Sequence, residues 1–104
     1  NYVPDLLTYN DVVLNRSTYE LGYDNKTQTL SGKEFQIAEM MMQQPNSIIA
    51  TEQFITHIWG WDSHVATSVV WVHISNLRKK IDAVNAPIEI RFVRNAGYIL
   101  EDKQ

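Results

Sequence analysis

Residues 69–81, Val-Val-Trp-Val-His-Ile-Ser-Asn-Leu-Arg-Lys-Lys-Ile, constrain the fold more than any other stretch of this chain. Val70, Ile74, Leu77 and Ile81 recur at i, i+4, i+7 and i+11, so they stack on one side of a helix. The opposite side carries Ser68, Val72, Ser75, Asn76 and Lys79, and the helix closes on Arg78-Lys79-Lys80. An apolar back requires a core to lie against. The front is small and polar, then basic, and is built to meet something outside that core.

The chain has 104 residues, enough for one domain with one core and too few for two. With 44% hydrophobic residues and only four glycines, its composition is that of a globular domain. No apolar run approaches a membrane span, and no basic-then-apolar N-terminus marks a signal peptide. The absence of cysteine excludes disulfides, a zinc finger and a thiol nucleophile, and fits a reducing cytosol. The chain starts at Asn1 rather than at methionine, which suggests a fragment of something longer. Two N-x-S/T sequons, at Asn15 and Asn25, would matter only in a secretory setting.

A net charge of −3 argues at first against a nucleic-acid partner, but the charge is unevenly spread. Residues 1–63 hold Arg16, Lys26 and Lys33 against eight acids, a net of −5. Residues 64–98 hold Arg78, Lys79, Lys80, Arg91 and Arg94 against Asp82 and Glu89, a net of +3, and the last six residues contribute −1. A polyanion responds to the field of one face more than to the total.

Period-two patterning from Leu6 to Leu30 is broken at Asn10-Asp11, Asn15-Arg16-Ser17 and Asp24-Asn25. It predicts about four short antiparallel strands in a meander, with Tyr19, Leu21 and Tyr23 alternating on one of them. Their aromatic faces are expected to cover one side of a helical core. Leu30-Ser31-Gly32-Lys33-Glu34-Phe35 marks a helix start: Ser31 and Glu34 form a capping box, and Leu30 and Phe35 occupy staple positions. That helix runs through Phe35, Ala38, Met41 and Met42 and stops before Pro45. Ile48-Ile49-Ala50 reads as a short extended piece, and Thr51 as the cap of a second helix bearing Phe54, Ile55, Ile58 and Trp59 and ended by Gly60. A loop follows from Trp61 to Ala66. The third helix starts near Thr67 or Ser68 and is ended by Asn85-Ala86-Pro87. Two strands, 88–93 and 98–100, close the chain around Arg94-Asn95-Ala96-Gly97.

Helix, tight loop, helix and hairpin is the order of a winged helix-turn-helix. In that arrangement the third helix enters a major groove and the hairpin, or wing, touches the adjacent minor groove. The expected fold is α+β: an N-terminal four-stranded antiparallel sheet (6–30), a three-helix core (31–83) and a C-terminal β-hairpin wing (88–100), one domain over 1–104. On the third helix, Val72 suits a thymine methyl, Asn76 adenine N6 and N7, Lys79 guanine O6 or N7, and Ser75 is a tolerant partner. Arg78, Lys80 and His73 lie toward the flanks, where phosphates would pass. Arg94 at the wing tip suits a narrow minor groove. Trp71 projects from a flank, and packing on the sheet, on a neighbouring protomer or on the sugar–phosphate edge all stay open.

Five segments together carry a resemblance. Leu30-Ser31-x-x-Glu34-Phe35, Thr51-Glu52-Gln53-Phe54, Ile58-Trp59-Gly60, Val72-His73-Ile74-x-x-Leu77-Arg78-Lys79-Lys80 and Val93-Arg94-x-x-Gly97-Tyr98 resemble the OmpR/PhoB family. These are DNA-binding effector domains of bacterial two-component response regulators, and the match runs in order across essentially the whole chain. The resemblance implies base contacts at Val72 and Asn76, and phosphate contacts at Trp59, Ser68, Val69, His73, Arg78 and Tyr98. It also implies minor-groove entry at Arg94, with Asn95 beside it in the wing. The loop of Trp61, Asp62, Ser63 and His64 would contact RNA polymerase. Further implied are a homodimer on direct repeats of double-stranded DNA and a receiver domain, phosphorylated by a sensor kinase, that lies outside this sequence. A cytoplasmic location goes with these partners.

The chain departs from the family where Ser68-Val69-Val70-Trp71 replaces a frequent Arg-Thr-Val-Asp, and where Ser75 and Asn76 replace frequent arginines. The wing reads Arg94-Asn95-Ala96-Gly97-Tyr98 rather than Arg-Gly-x-Gly-Tyr, and Asn95 is suited to keep the turn because asparagine tolerates positive φ. The competing reading is a winged helix that docks on a protein through Trp71 and Val72. Catalysis and metal binding fit worst. His57, His64 and His73 share no ligand spacing, and Asp62-Ser63-His64 is contiguous where a triad needs its base held between separate supports. No cofactor is implied.

Overall fold

The computed structural model describes residues 5–103; the expected span of 1–104 also takes in residues 1–4 and 104, which lie outside the described residues. The N-terminal strands are β1 (Leu6–Tyr9), β2 (Val12–Asn15), β3 (Glu20–Tyr23) and β4 (Lys26–Thr29), each antiparallel to the next. Asn10-Asp11 and Asp24-Asn25 make two of the turns with φ of 49°, 64°, 50° and 66°. Two-residue turns of that hand match the twist of the flanking strands, and Asn and Asp accept the left-handed region at low cost. Tyr19, expected in the third strand, instead lies in the β2–β3 turn at φ 61° and stacks its ring on Phe35 at 4.1 Å. The core-facing side of the sheet is consequently aliphatic, with Val12, Leu14 and Leu21 buried and Tyr9 and Tyr23 at its margin.

The first helix, α1 (Gly32–Gln43), starts where the Ser31-x-x-Glu34 spacing predicts. Ser31 Oγ accepts the Glu34 N–H at 3.3 Å, and Glu34 Oε1 accepts the Ser31 N–H at 2.9 Å. The Glu34 carboxylate then serves a second partner: Lys80 Nζ lies 2.6 Å away and also donates to the Thr29 carbonyl at 2.8 Å. One capping residue therefore joins the start of α1 to the end of the third helix.

The second helix departs from expectation. Regular α2 covers only Thr51–Phe54, after which the chain widens into a π-helical turn over Ile55–Trp59 and breaks at Gly60, φ 112°. Thr51 is the first helical residue rather than the cap; Ala50 holds the cap position, and Gln53 Oε1 accepts its N–H at 2.8 Å. The third helix, α3 (Thr67–Ala83), buries the four residues that its period singled out: Val70, Ile74, Leu77 and Ile81. Its back packs on α1 and α2, with β4 on one side and the wing on the other.

The wing strands, β6 (Ile88–Val93) and β7 (Gly97–Asp102), are paired over their whole length, and β7 runs longer than the expected 98–100. Ile48–Ile49, the short extended piece, is β5 and pairs with β7 to give a three-stranded sheet of order β5-β7-β6. That third strand explains Gly97. Its φ is 149°, and a Cβ there would sit 2.7 Å from the Ile49 carbonyl carbon and 2.8 Å from Ala50 Cα.

Gly97→Ala is expected to lower stability by roughly 3 kcal/mol, through strain at positive φ and a backbone collision; a thermal midpoint unchanged from the parent would contradict this. Burial raises the Glu34 carboxyl, but hydrogen bonds from Lys80 and from the Ser31 amide outweigh it and hold it below the ordinary carboxylate range. The ionised form thus stabilises the fold above that range, and the contribution is lost as pH falls through the lowered value. Glu34→Gln keeps a capping side chain while removing the charge. It should cost roughly 1–2 kcal/mol in urea unfolding at neutral pH and nothing in acid, below the range where Glu34 ionises.

Candidate nucleic-acid interface

Rotation of α3 about its axis is fixed from three sides, and this decides which side chains face out. Its buried seam sets the back. Lys80 is tied toward α1 and β4, while Arg78 Nε donates to the Ile90 carbonyl of β6 at 3.0 Å. Ser68, Val72 and Lys79 are left exposed along the front, with Ser75 and Asn76 half-buried beside them. Val69 is also exposed, at the N-terminal end of the same face.

The flanks differ from one another. On the wing side, the Arg78 guanidinium lies 5.9 Å over the Tyr98 ring. Tyr98 is only 4% exposed and packs between Phe54 and Phe92, with ring centroids at 6.3 and 5.3 Å. Burial raises the Tyr98 hydroxyl, against a smaller lowering by Arg78, so it remains a protonated donor. On the other flank the His73 ring lies 5.7 Å from Trp59, and its buried Nδ1 has no partner among the described residues. Lys33 Nζ sits 5.2 Å over Trp59 and donates to the Ile58 carbonyl at 3.4 Å. This adds a cation at that edge which the sequence pattern did not assign. Its only local signal was its place in the first turn of α1, far along the chain from His73.

Lys80, expected on a phosphate-facing flank, donates through its ammonium to Glu34 and to the Thr29 carbonyl. Arg91, counted in the basic half, is likewise held by Glu101 through Nε at 2.7 Å and Nη2 at 3.3 Å. Among the described residues, Arg78, Lys79 and Arg94 make no ion pair with a carboxylate. The usable positive charge that α3 and the wing bring to this face is therefore smaller than the sequence count, with Lys33 of α1 adding to it at the Trp59 edge.

Arg94 and Asn95 are exposed at the tip of the β6–β7 turn, which the Ala96 N–H closes onto the Val93 carbonyl at 3.0 Å. Asn95 adopts φ 61°, as its residue type suggested. Between the start of α3 and the wing opens a cleft of 610 Å³, lined among others by Thr67, Ser68, Trp71, Arg78 and Phe92. The loop before α3 leaves Trp61 85% exposed, with Asp62 and His64 exposed and Ser63 turned back to accept the Val65 N–H at 3.1 Å. Among the described residues no three His or carboxylate side chains converge as a metal site, and no helix is long and apolar enough to cross a membrane.

Residues 25–100 match the family described as "Transcriptional regulatory protein, C terminal". The heme response regulator HssR of Staphylococcus aureus is 41% identical over 96 residues, which are 92% of this chain and 43% of that protein. The chain thus spans less than half the length of the curated relatives it matches. Among solved structures, the C-terminal domain of the nisin resistance regulator NsrR, a lantibiotic response regulator, superposes with a TM-score of 0.78 at 28% identity. That match covers 94% of this chain and 99% of NsrR's. The DNA-binding domain of the response regulator AdeR, in complex with an intercistronic region, gives 0.79 at 23% identity over 91% and 98% of the two chains, and so speaks for the fold. The chain belongs to the OmpR/PhoB-type family of transcriptional regulatory C-terminal domains, the DNA-binding effector domains of response regulators.

Proposed function

We propose that this domain recognises a specific double-stranded DNA sequence by placing α3 in the major groove and the β6–β7 tip in the neighbouring minor groove. The observation that carries the reading is the placement of three unpaired cations on two neighbouring elements. Arg78, Lys79 and Arg94 lie on α3 and the wing, while Lys80 and Arg91 are neutralised within the fold. A net-negative chain that keeps three cations without an ion pair on one helix and one hairpin is shaped for a groove lined by phosphates.

Base reading falls to the front of α3. Val72 meets a thymine methyl, Asn76 pairs with adenine N6 and N7, Lys79 reaches guanine, and Ser75 adapts to either. Backbone contacts come from Ser68, Val69, Arg78 and the Tyr98 hydroxyl on one side and from Trp59 and His73 on the other, with Arg94 and Asn95 in the minor groove. Lys80 has no role in this set. The Trp61–His64 loop is the surface offered to RNA polymerase; an indole 85% exposed on a loop beside the DNA face supports it. Full-length relatives are more than twice as long as the matched segment, which leaves room for a receiver domain. Through such a receiver, answering a sensor kinase in the cytoplasm, two copies would sit on direct repeats, and linkage would raise occupancy without new DNA contacts. A docking role on a protein partner is favoured only by the exposed Trp71, Val72 and Phe92.

Selection of bound duplexes from a randomised pool, at low and moderate salt, tests the reading. Enrichment of a short motif, repeated directly one helical turn apart, is the expected result; a folded domain that retains no duplex points to protein docking instead. Against the enriched motif, Asn76→Ala and Lys79→Ala should each cost about 1–3 kcal/mol and relax preference at one base position. Arg94→Ala should weaken all sequences more evenly. Equal losses on every sequence for all three variants would remove the base-reading assignments.

A further inference from the structure

A helix in a major groove and a hairpin in the adjacent minor groove are separated by one sugar–phosphate strand, which must pass between them. In this domain the space between them is the 610 Å³ cleft. Trp71 lines it from α3 and Phe92 from β6, and these rings are 53% and 55% exposed. Tyr98 and Arg78 line it from below the wing tip, stacked on one another, and Glu52 adds a carboxylate. Arg78 is the one cation among the lining residues. A cleft with a single cation, a carboxylate and large exposed aromatic rings is poorly matched to a strand gripped through phosphates alone. It is well matched to the apolar C–H faces of the deoxyribose rings that alternate with those phosphates. Aromatic rings stack on such surfaces and remove them from water at little conformational cost.

We infer that Trp71 and Phe92 pack on successive deoxyribose rings of the strand crossing this cleft, with Arg78 taking the phosphate between them. The inference rests on the DNA reading above and gives Trp71 a positioning role on the backbone, set beside the base-reading front rather than on it. Part of the grip on DNA is thereby apolar, independent of both sequence and salt. Such contact offsets the small number of unpaired cations on this face.

Fluorescence anisotropy with a labelled duplex from the enriched pool, and with a shuffled duplex of equal composition, separates the possibilities across a salt series. Trp71→Ala should weaken binding about tenfold, equivalent to about 1.4 kcal/mol, by the same factor at every salt and on both duplexes. Trp71→Phe should recover most of the loss, and Phe92→Ala should reproduce it. Arg78→Gln should instead flatten the salt slope by about one. The inference is overturned if the parent binds and Trp71→Ala changes affinity less than about twofold, which leaves the DNA reading intact. It is also overturned if the Trp71 loss is confined to the enriched motif, because that marks base contact. A parent chain that binds neither duplex overturns both readings.

Discussion

Three consecutive basic residues lie near the C-terminal end of α3, and the fold sends each in a different direction. Each residue along a helix turns about 100° from the last, so Arg78, Lys79 and Lys80 fan around the axis. Lys80 reaches Glu34 and the Thr29 carbonyl, Arg78 reaches the Ile90 carbonyl of β6, and Lys79 is left facing outward between them. With the buried seam of Val70, Ile74, Leu77 and Ile81 behind, these two tethers fix the rotation of the helix. Everything exposed on α3 follows from that rotation, including the line of Ser68, Val72, Ser75 and Asn76. Glu34 is the keystone on one side because it also closes the capping box of α1.

The same tethers reshape the electrostatics. Counted along the sequence, the second half of the chain carries a net of +3 with five bases. Of these five, Lys80 and Arg91 are spent internally, on Glu34 and Glu101, and Arg78, Lys79 and Arg94 remain without a carboxylate partner among the described residues. A weak, focused field is the consequence. On the proposed reading this field steers a duplex onto one face, while shape and apolar contact carry more of the affinity than in a strongly basic domain. The exposed aromatic rings of the cleft beside Arg78 fit that division of labour.

How much of this was legible in the sequence depends on the range of each interaction. The Ser31–Glu34 box is closed within three residues, the Asn10-Asp11 and Asp24-Asn25 turns within two, and the α3 seam repeats at a fixed period, so local pattern sufficed. Alternation of Tyr19 with Leu21 and Tyr23 mimics a strand, whereas Tyr19 sits at φ 61° and stacks on Phe35. The pairing of Ile48–Ile49 with β7, the reason Gly97 lacks a side chain, joins segments about half the chain apart and has no local signature. The same is true of Lys80, whose partner Glu34 belongs to another helix. At the candidate interface the front of α3 could be read from periodicity. The commitment of Lys80, the stacking of Lys33 on Trp59 and the aromatic cleft could not, because each depends on how separate elements pack.

The most direct test of the account is the salt dependence of the affinity of this chain for its selected duplex. Three unpaired cations on α3 and the wing, each releasing counterions from a phosphate, predict log affinity falling against log salt with a slope of about −3. A slope flatter than about −1 would mean that α3 and the wing do not lie against phosphates. The face would then belong to a protein partner, and the central claim would fail.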